Sequence, residues 1–76
     1  MKKTKKMRKM IKQAKMGKVP MMYQVGICYQ VGIECEKDMN KAAMWMHFAA
    51  QENYEPAIQW LQDYYFDDDT FLQAVS

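Results

Sequence analysis

Apolar residues in this chain return every three to four positions, in four blocks separated by glycine, proline, asparagine or acidic residues. That spacing predicts helices, because a period of about 3.6 residues brings side chains back to one face. In the first block Met7, Met10, Ile11 and Ala14 make a stripe along 3–16, with lysines over the rest. Gly17 can end this helix in the left-handed conformation, and Pro20 can open the next without losing a hydrogen bond. The second helix, 20–31, sets Met22, Val25, Gly26 and Tyr29 on one side. A glycine inside a helix costs about 1 kcal/mol relative to alanine. Gly26 therefore marks a place where a neighbouring helix needs the space.

Gly32 opens a turn, and Asp38 stands where a side-chain oxygen can cap a third helix over 38–52. Its stripe is Ala42, Trp45, Met46, Ala49 and Ala50, small residues beside one indole, which lets another helix approach closely. Asn53 ends it and Pro56 starts a fourth helix over 55–66, with Ala57, Ile58 and Leu61 among Trp60, Tyr64, Tyr65 and Phe66. Asp67, Asp68 and Asp69 oppose the macrodipole at a helix C-terminus and predict a stop. Asp68 or Asp69 can then cap a final turn containing Phe71, Leu72 and Val75. No stretch alternates with period two, so no strand is predicted. The expected fold is all-α, antiparallel helical hairpins of about four helices, in a single domain over 1–76.

Displacing the sequence against itself by 36 residues sets Pro20 over Pro56, Val25 over Leu61 and Tyr29 over Tyr65. It also sets Lys5 over Lys41, Met10 over Met46, Ala14 over Ala50 and Gly17 over Asn53. Punctuation meets punctuation and apolar meets apolar. The chain reads as one complete repeat, 20–57, flanked by a basic amphipathic helix over 1–18 and a half-repeat helix over 55–66, with a C-terminal turn over 67–76.

Gly26, Tyr29, Gly32, Asp38, Lys41, Ala42, Trp45, Ala49, Ala50 and Ala57 together carry a resemblance. Their spacing resembles that of the Sel-one-like repeat, a branch of the tetratricopeptide-like α-solenoids. Val25, Glu34, Cys35 and Asn53 stand where that pattern has Leu, Gly, Val and Gly. Asn53 tolerates the left-handed conformation, whereas Glu34 does not, so the turn after Gly32 is expected to follow a different path. The resemblance covers Met21 to Ala57, about half the chain. It implies a short superhelix of stacked hairpins with no catalysis of its own.

Seventy-six residues hold no apolar run near the roughly 20 needed to span a bilayer. Lysines interrupt Met7, Met10 and Ile11, so no signal-peptide core forms, and a cytoplasmic address is expected. Cys28 and Cys35 lack zinc-ligand spacing and are too few for a disulfide framework; two reduced, partly buried thiols are expected. The net charge of +2 conceals an asymmetry. Residues 1–18 carry +9, and 19–76 carry −7, with Lys37 and Lys41 against all nine acids.

Chemistry is sparse. The chain has one histidine, one serine and no phosphate loop, nucleophile elbow or zinc-protease motif. Cys28 or Cys35 with His47 is the nearest approach to a nucleophilic pair, but His47 falls off the stripe of Ala42 and Trp45 and is expected at a surface or interface. No catalytic residue, metal site or cofactor is expected. Asp67, Asp68 and Asp69 lack the alternating spacing and glycine of a calcium loop and read as a solvated turn. Trp45, Trp60, Tyr29, Tyr64 and Tyr65, at helical spacing, read as core. The nine methionines add the alternative of an adaptable groove.

Lys2, Lys3, Lys5, Lys6, Arg8, Lys9, Lys12, Lys15 and Lys18 form the strongest competing signal, a set of cations able to neutralise phosphates. No aromatic residue precedes Tyr23 to stack on bases, and one arginine is too few for specific base reading. A solvated face that keeps a methionine-rich protein in solution is the plainer account.

The resemblance implies an adaptor or scaffold that binds peptides or protein partners through a concave face lined by the first helix of each hairpin. Mapped onto this chain, that face takes Tyr23, Gln24, Ile27 and Gln30 from 20–31, with Gln59, Gln62, Asp63 and Phe66 from 55–66. Side-chain amides both donate and accept, which suits extended peptide backbone. Two alternatives stay open: a small basic protein associated with nucleic acid through its lysine helix, and an inhibitor that docks on a larger protein. The unpaired ends, one basic and one acidic, add the expectation of a homodimer.

Overall fold

A computed structural model describes residues 3–66 of the 76-residue chain. Four α-helices follow one another: α1 (Lys5–Lys15), α2 (Val19–Val31), α3 (Met39–Gln51) and α4 (Glu55–Phe66). No strand occurs among the described residues. The fold is all-α, with successive helices packed as hairpins across short connections. The closing turn with Phe71, Leu72 and Val75, and the acids Asp67, Asp68 and Asp69, lie outside the described residues.

Local chemistry sets each boundary. Thr4 accepts the Met7 N–H through its hydroxyl at 3.1 Å, so α1 begins two residues later than the periodicity predicts. Gly17 (φ 96°) follows its end and donates its N–H to the Ala14 carbonyl at 3.0 Å. Pro20 lies in the first turn of α2. Gly32 ends α2 in the left-handed region (φ 80°), its N–H on the Cys28 carbonyl at 2.8 Å. Asp38 caps α3 by accepting the Lys41 N–H at 3.1 Å, and its own N–H donates to the Tyr29 carbonyl at 2.9 Å, which closes the turn. Asn53 is left-handed at φ 62°, as its place in the sequence predicts.

The turn departs from expectation at Glu34. This residue is itself left-handed (φ 65°), a conformation that costs a residue with a Cβ about 1–2 kcal/mol. Thr4 holds it there from the start of α1. The Thr4 N–H donates to the Glu34 carbonyl at 3.0 Å, and the Thr4 hydroxyl donates to Glu34 Oε2 at 3.3 Å. One threonine thus caps its own helix and ties it to a turn thirty residues away.

Two apolar clusters result. The first gathers Met7 and Ala14 of α1, Val25, Cys28 and Tyr29 of α2, Cys35 of the turn, and Ala42 and Trp45 of α3. The second joins Met46 and Ala49 of α3 to Ala57 and Leu61 of α4, with Met22, Tyr23 and Ile27 of α2 packed on it. Gly26 of α2 faces α3 at close range. A Cβ there would stand 2.7 Å from Met46 Cε and 3.3 Å from the Ala42 carbonyl oxygen. The close approach that the sequence implied at Gly26 is present. Of the expected stripes, Met10, Ile11, Met22 and Ala50 are half-buried, and Ala43 is buried as well.

Candidate functional site

The face assigned to a partner begins with a contact between α2 and α4. Trp60 Nε1 donates to Gln30 Oε1 at 2.9 Å, linking helices that are separated in sequence by all of α3. The rings of Tyr23 and Tyr54 also meet, at 5.6 Å. The two helices therefore meet through side chains while each packs on α3, and the predicted surface residues divide. Gln24, Gln59, Gln62 and Asp63 are exposed, with Gln59 Nε2 donating to Asp63 Oδ1 at 3.1 Å. Tyr23, Ile27 and Gln30 are half-buried, because they fill the seam between the helices. Phe66 is 51% exposed at the end of α4.

The aromatic residues divide too. Tyr29 and Trp45 are buried, and Trp60 is half-buried. Tyr64 and Tyr65 are exposed, contrary to the expectation that they belong to the core. They sit in the last turn of α4, and no described element lies beyond it to cover them. Tyr64 stacks on Trp60 at 5.1 Å and Tyr65 meets Tyr64 edge-on at 5.1 Å. Tyr65 also shares a 2.9 Å hydrogen bond with His47 Nε2, which places the one imidazole on the surface, as its position off the α3 stripe predicts.

The cysteines are free and more deeply buried than expected. Burial pushes both thiols above their ordinary range; beside Cys28 the Glu34 carboxylate adds to the effect and Lys6 opposes it. Cys35 donates its S–H to the Cys28 carbonyl at 3.6 Å, an oxygen that also accepts the N–H groups of Gly32 and Ile33. Protonated, enclosed thiols are poor nucleophiles. The Cys35 thiol and the Cys28 carbonyl hold the turn together. Among the described residues no group of three or more His, Cys, Asp or Glu side chains is placed to hold a metal ion.

Of the lysine set, Lys3, Lys5, Lys6, Arg8, Lys9, Lys12, Lys15 and Lys18 are exposed, and Lys2 lies outside the described residues. Lys3 and Arg8 line a cleft of about 510 Å³ together with Lys37 and Lys41. In the sequence Lys37 and Lys41 stand out only as the two cations of an acidic segment, far from Lys3 and Arg8. The signal was available, since these are the sole basic residues of the acidic 19–76 segment. Comparison with protein-family models, with curated proteins and with solved structures finds no match.

Proposed function

We propose that the chain is a non-catalytic helical adaptor of the Sel-one-like repeat type, which binds a protein or peptide partner across the face shared by α2 and α4. The observation that carries this reading is the Trp60–Gln30 hydrogen bond. It links α2 and α4 by their side chains, with the amides of Gln24, Gln59 and Gln62 exposed on the same two helices. The 36-residue displacement supports it, since Val19 and Glu55 begin helices, and Lys15 and Gln51 end them, at that interval. A peptide library panned against the full chain tests it. Recovered peptides should lose binding to a Gln24→Lys/Gln62→Lys variant and keep it on Lys9→Gln/Lys12→Gln. The opposite pattern would move the interface to α1.

Exposure of Lys5, Lys6, Lys9, Lys12 and Lys15 along α1 favours a second reading, sequence-blind association with nucleic acid. Such binding weakens with salt at a log–log slope of about −0.9 per phosphate contacted. Tight binding to one duplex sequence at high salt would contradict it. In the adaptor reading the protein works in the cytoplasm; none of the described helices is long and apolar enough to cross a membrane. Its basic α1 and the exposed end of α4 would also pair two chains as a homodimer. Light scattering after size exclusion distinguishes that dimer from a 9.1 kDa monomer.

A further inference from the structure

We propose that the cleft between the start of α1 and the start of α3 binds a small polyanion of the phosphate class, one bearing phosphate or pyrophosphate oxygens. Residues 19–76 carry nine acids and only two cations, Lys37 and Lys41. Both line this cleft, where they meet Lys3 and Arg8 from the other end of the sequence. Like charges gathered around one space repel unless anions offset them, and here the offset is partial. Two carboxylates, Glu36 and Asp38, also line the cleft and leave an excess of two positive charges. Asp38 is occupied in capping α3, its Oδ1 accepting the Lys41 N–H.

The walls are held in place before any ligand arrives. Thr4, next to Lys3, is joined to Glu34 by a backbone and a side-chain hydrogen bond. That joint fixes the spacing between the strand of chain bearing Lys3 and the turn bearing Lys37. Arg8 Nη1 donates to the Lys3 carbonyl at 3.4 Å, and Lys41 Nζ stands 5.6 Å from the centroid of the Tyr29 ring. Preorganised cations lose less freedom on binding than mobile ones. A guanidinium fork beside ammonium groups matches several phosphate oxygens at once. The volume of about 510 Å³ suits a small molecule, whose sites run from about 300 to 1,000 Å³. A long strand would instead track the exposed lysines of α1, and Lys5, Lys9 and Lys12 do not line the cleft.

Calorimetric titration of the full 76-residue chain with inorganic phosphate and pyrophosphate tests the proposal. Pyrophosphate should bind more tightly than phosphate. The Lys37→Gln/Lys41→Gln pair should weaken pyrophosphate binding by at least about tenfold, and Lys9→Gln/Lys12→Gln, with the same loss of charge outside the cleft, by less than about threefold. Lys41→Arg should keep binding within about threefold. If the Lys37→Gln/Lys41→Gln pair loses helical circular dichroism, Lys37→Gln alone, in the turn, should still weaken binding measurably. Equal loss in the two pairs, unchanged binding in Lys37→Gln, no advantage for pyrophosphate, or no heat at millimolar pyrophosphate would each overturn it.

Discussion

Tyr29 and Tyr65 lie 36 residues apart, each near the end of a helix that follows a three-residue connection, yet one is 3% exposed and the other 49%. Their helices enter alike. Val25 and Leu61, one turn earlier in each, are both buried, and Gly17 and Asn53 both precede their helices with positive φ. The difference arises afterwards. Beyond Tyr29 the chain turns back, its carbonyl accepts the Asp38 N–H, and α3 covers the ring. Beyond Tyr65 no described element returns, and among the described residues its hydroxyl bonds to the exposed His47. The same local sequence grammar therefore makes a core in one place and a surface in the other. Neighbours decide which.

The largest test of that contrast is truncation of an aromatic on each side. Trp45→Ala removes an indole that is 6% exposed and packed in the cluster of α1, α2 and α3. Such truncations cost about 3–5 kcal/mol, which is comparable to what one small core supplies. Thermal melting followed by circular dichroism should lose its cooperative transition. Tyr65→Ala, on the open side, should cost less than about 1 kcal/mol, the value of one exposed hydrogen bond and a ring contact. Equal effects would show that the exposed end is as firmly packed as the covered one.

A smaller effect probes the seam between α2 and α3. Gly26→Ala gains about 1 kcal/mol of helix propensity but places a methyl 2.7 Å from Met46 Cε and 3.3 Å from a backbone oxygen. Met46 is fully buried and must shift its terminal methyl, while the Ala42 carbonyl is backbone, and overpacking costs about 1–3 kcal/mol. A net loss of about 1 kcal/mol is expected in urea denaturation. In a Met46→Leu background, which removes the terminal methyl of the thioether, the loss should shrink. An unchanged loss would place the obstruction at the Ala42 carbonyl.

The two helix caps give the next comparison. Asp38 receives one N–H, whereas the Thr4 hydroxyl receives the Met7 N–H and also donates to Glu34. Losing a cap costs about 0.5–2 kcal/mol. Thr4→Ala should therefore sit at the upper end and Asp38→Ala near the middle, measured by the same denaturation. Thr4→Ser keeps both bonds and should recover most of the loss.

Much of this architecture was legible in the sequence because its signals are local. Pro20, Gly32, Asp38 and Asn53 act on the backbone within a turn of themselves, and all four do what their chemistry predicts. The 3.6-residue stripes gave Met7, Ala14, Val25, Ala42, Trp45 and Ala49 as core for the same reason. What stayed hidden depends on partners distant in sequence. Thr4 could not be matched to Glu34, so neither the cap nor the left-handed glutamate was visible. Gln30 was assigned to a surface because its acceptor role depends on Trp60, thirty residues on. Lys37 and Lys41 had meaning only once the fold brought Lys3 and Arg8 opposite them.

The smallest effect, and the one that most sharpens the contrast between the covered and open regions, is a pH dependence confined to the first cluster. Burial raises the thiols of Cys28 and Cys35 above the ordinary value of 9.0, and it raises the Tyr29 phenol above 10.0 against the partial opposition of Lys41. For a thiol the proton is bound more tightly in the folded chain than in the unfolded one. Stability from this source is complete below the unfolded value, where both states are protonated. It declines as pH rises past that value, because the unfolded chain alone gives up its proton there, and the decline ends at the higher folded value. The urea midpoint should therefore hold steady from pH 7 to about 8 and fall from about 8.5 upward. Cys28→Ala/Cys35→Ala should flatten the curve between about pH 8.5 and 9.5, below the range where Tyr29 contributes, whatever its absolute stability. His47→Gln, on the open side, should leave the slope in that window unchanged. If the double cysteine variant keeps the full alkaline slope, the thiols ionise as freely in the folded chain as in the unfolded one, and the turn around the Cys28 carbonyl opens to water far more readily than its hydrogen bonds imply.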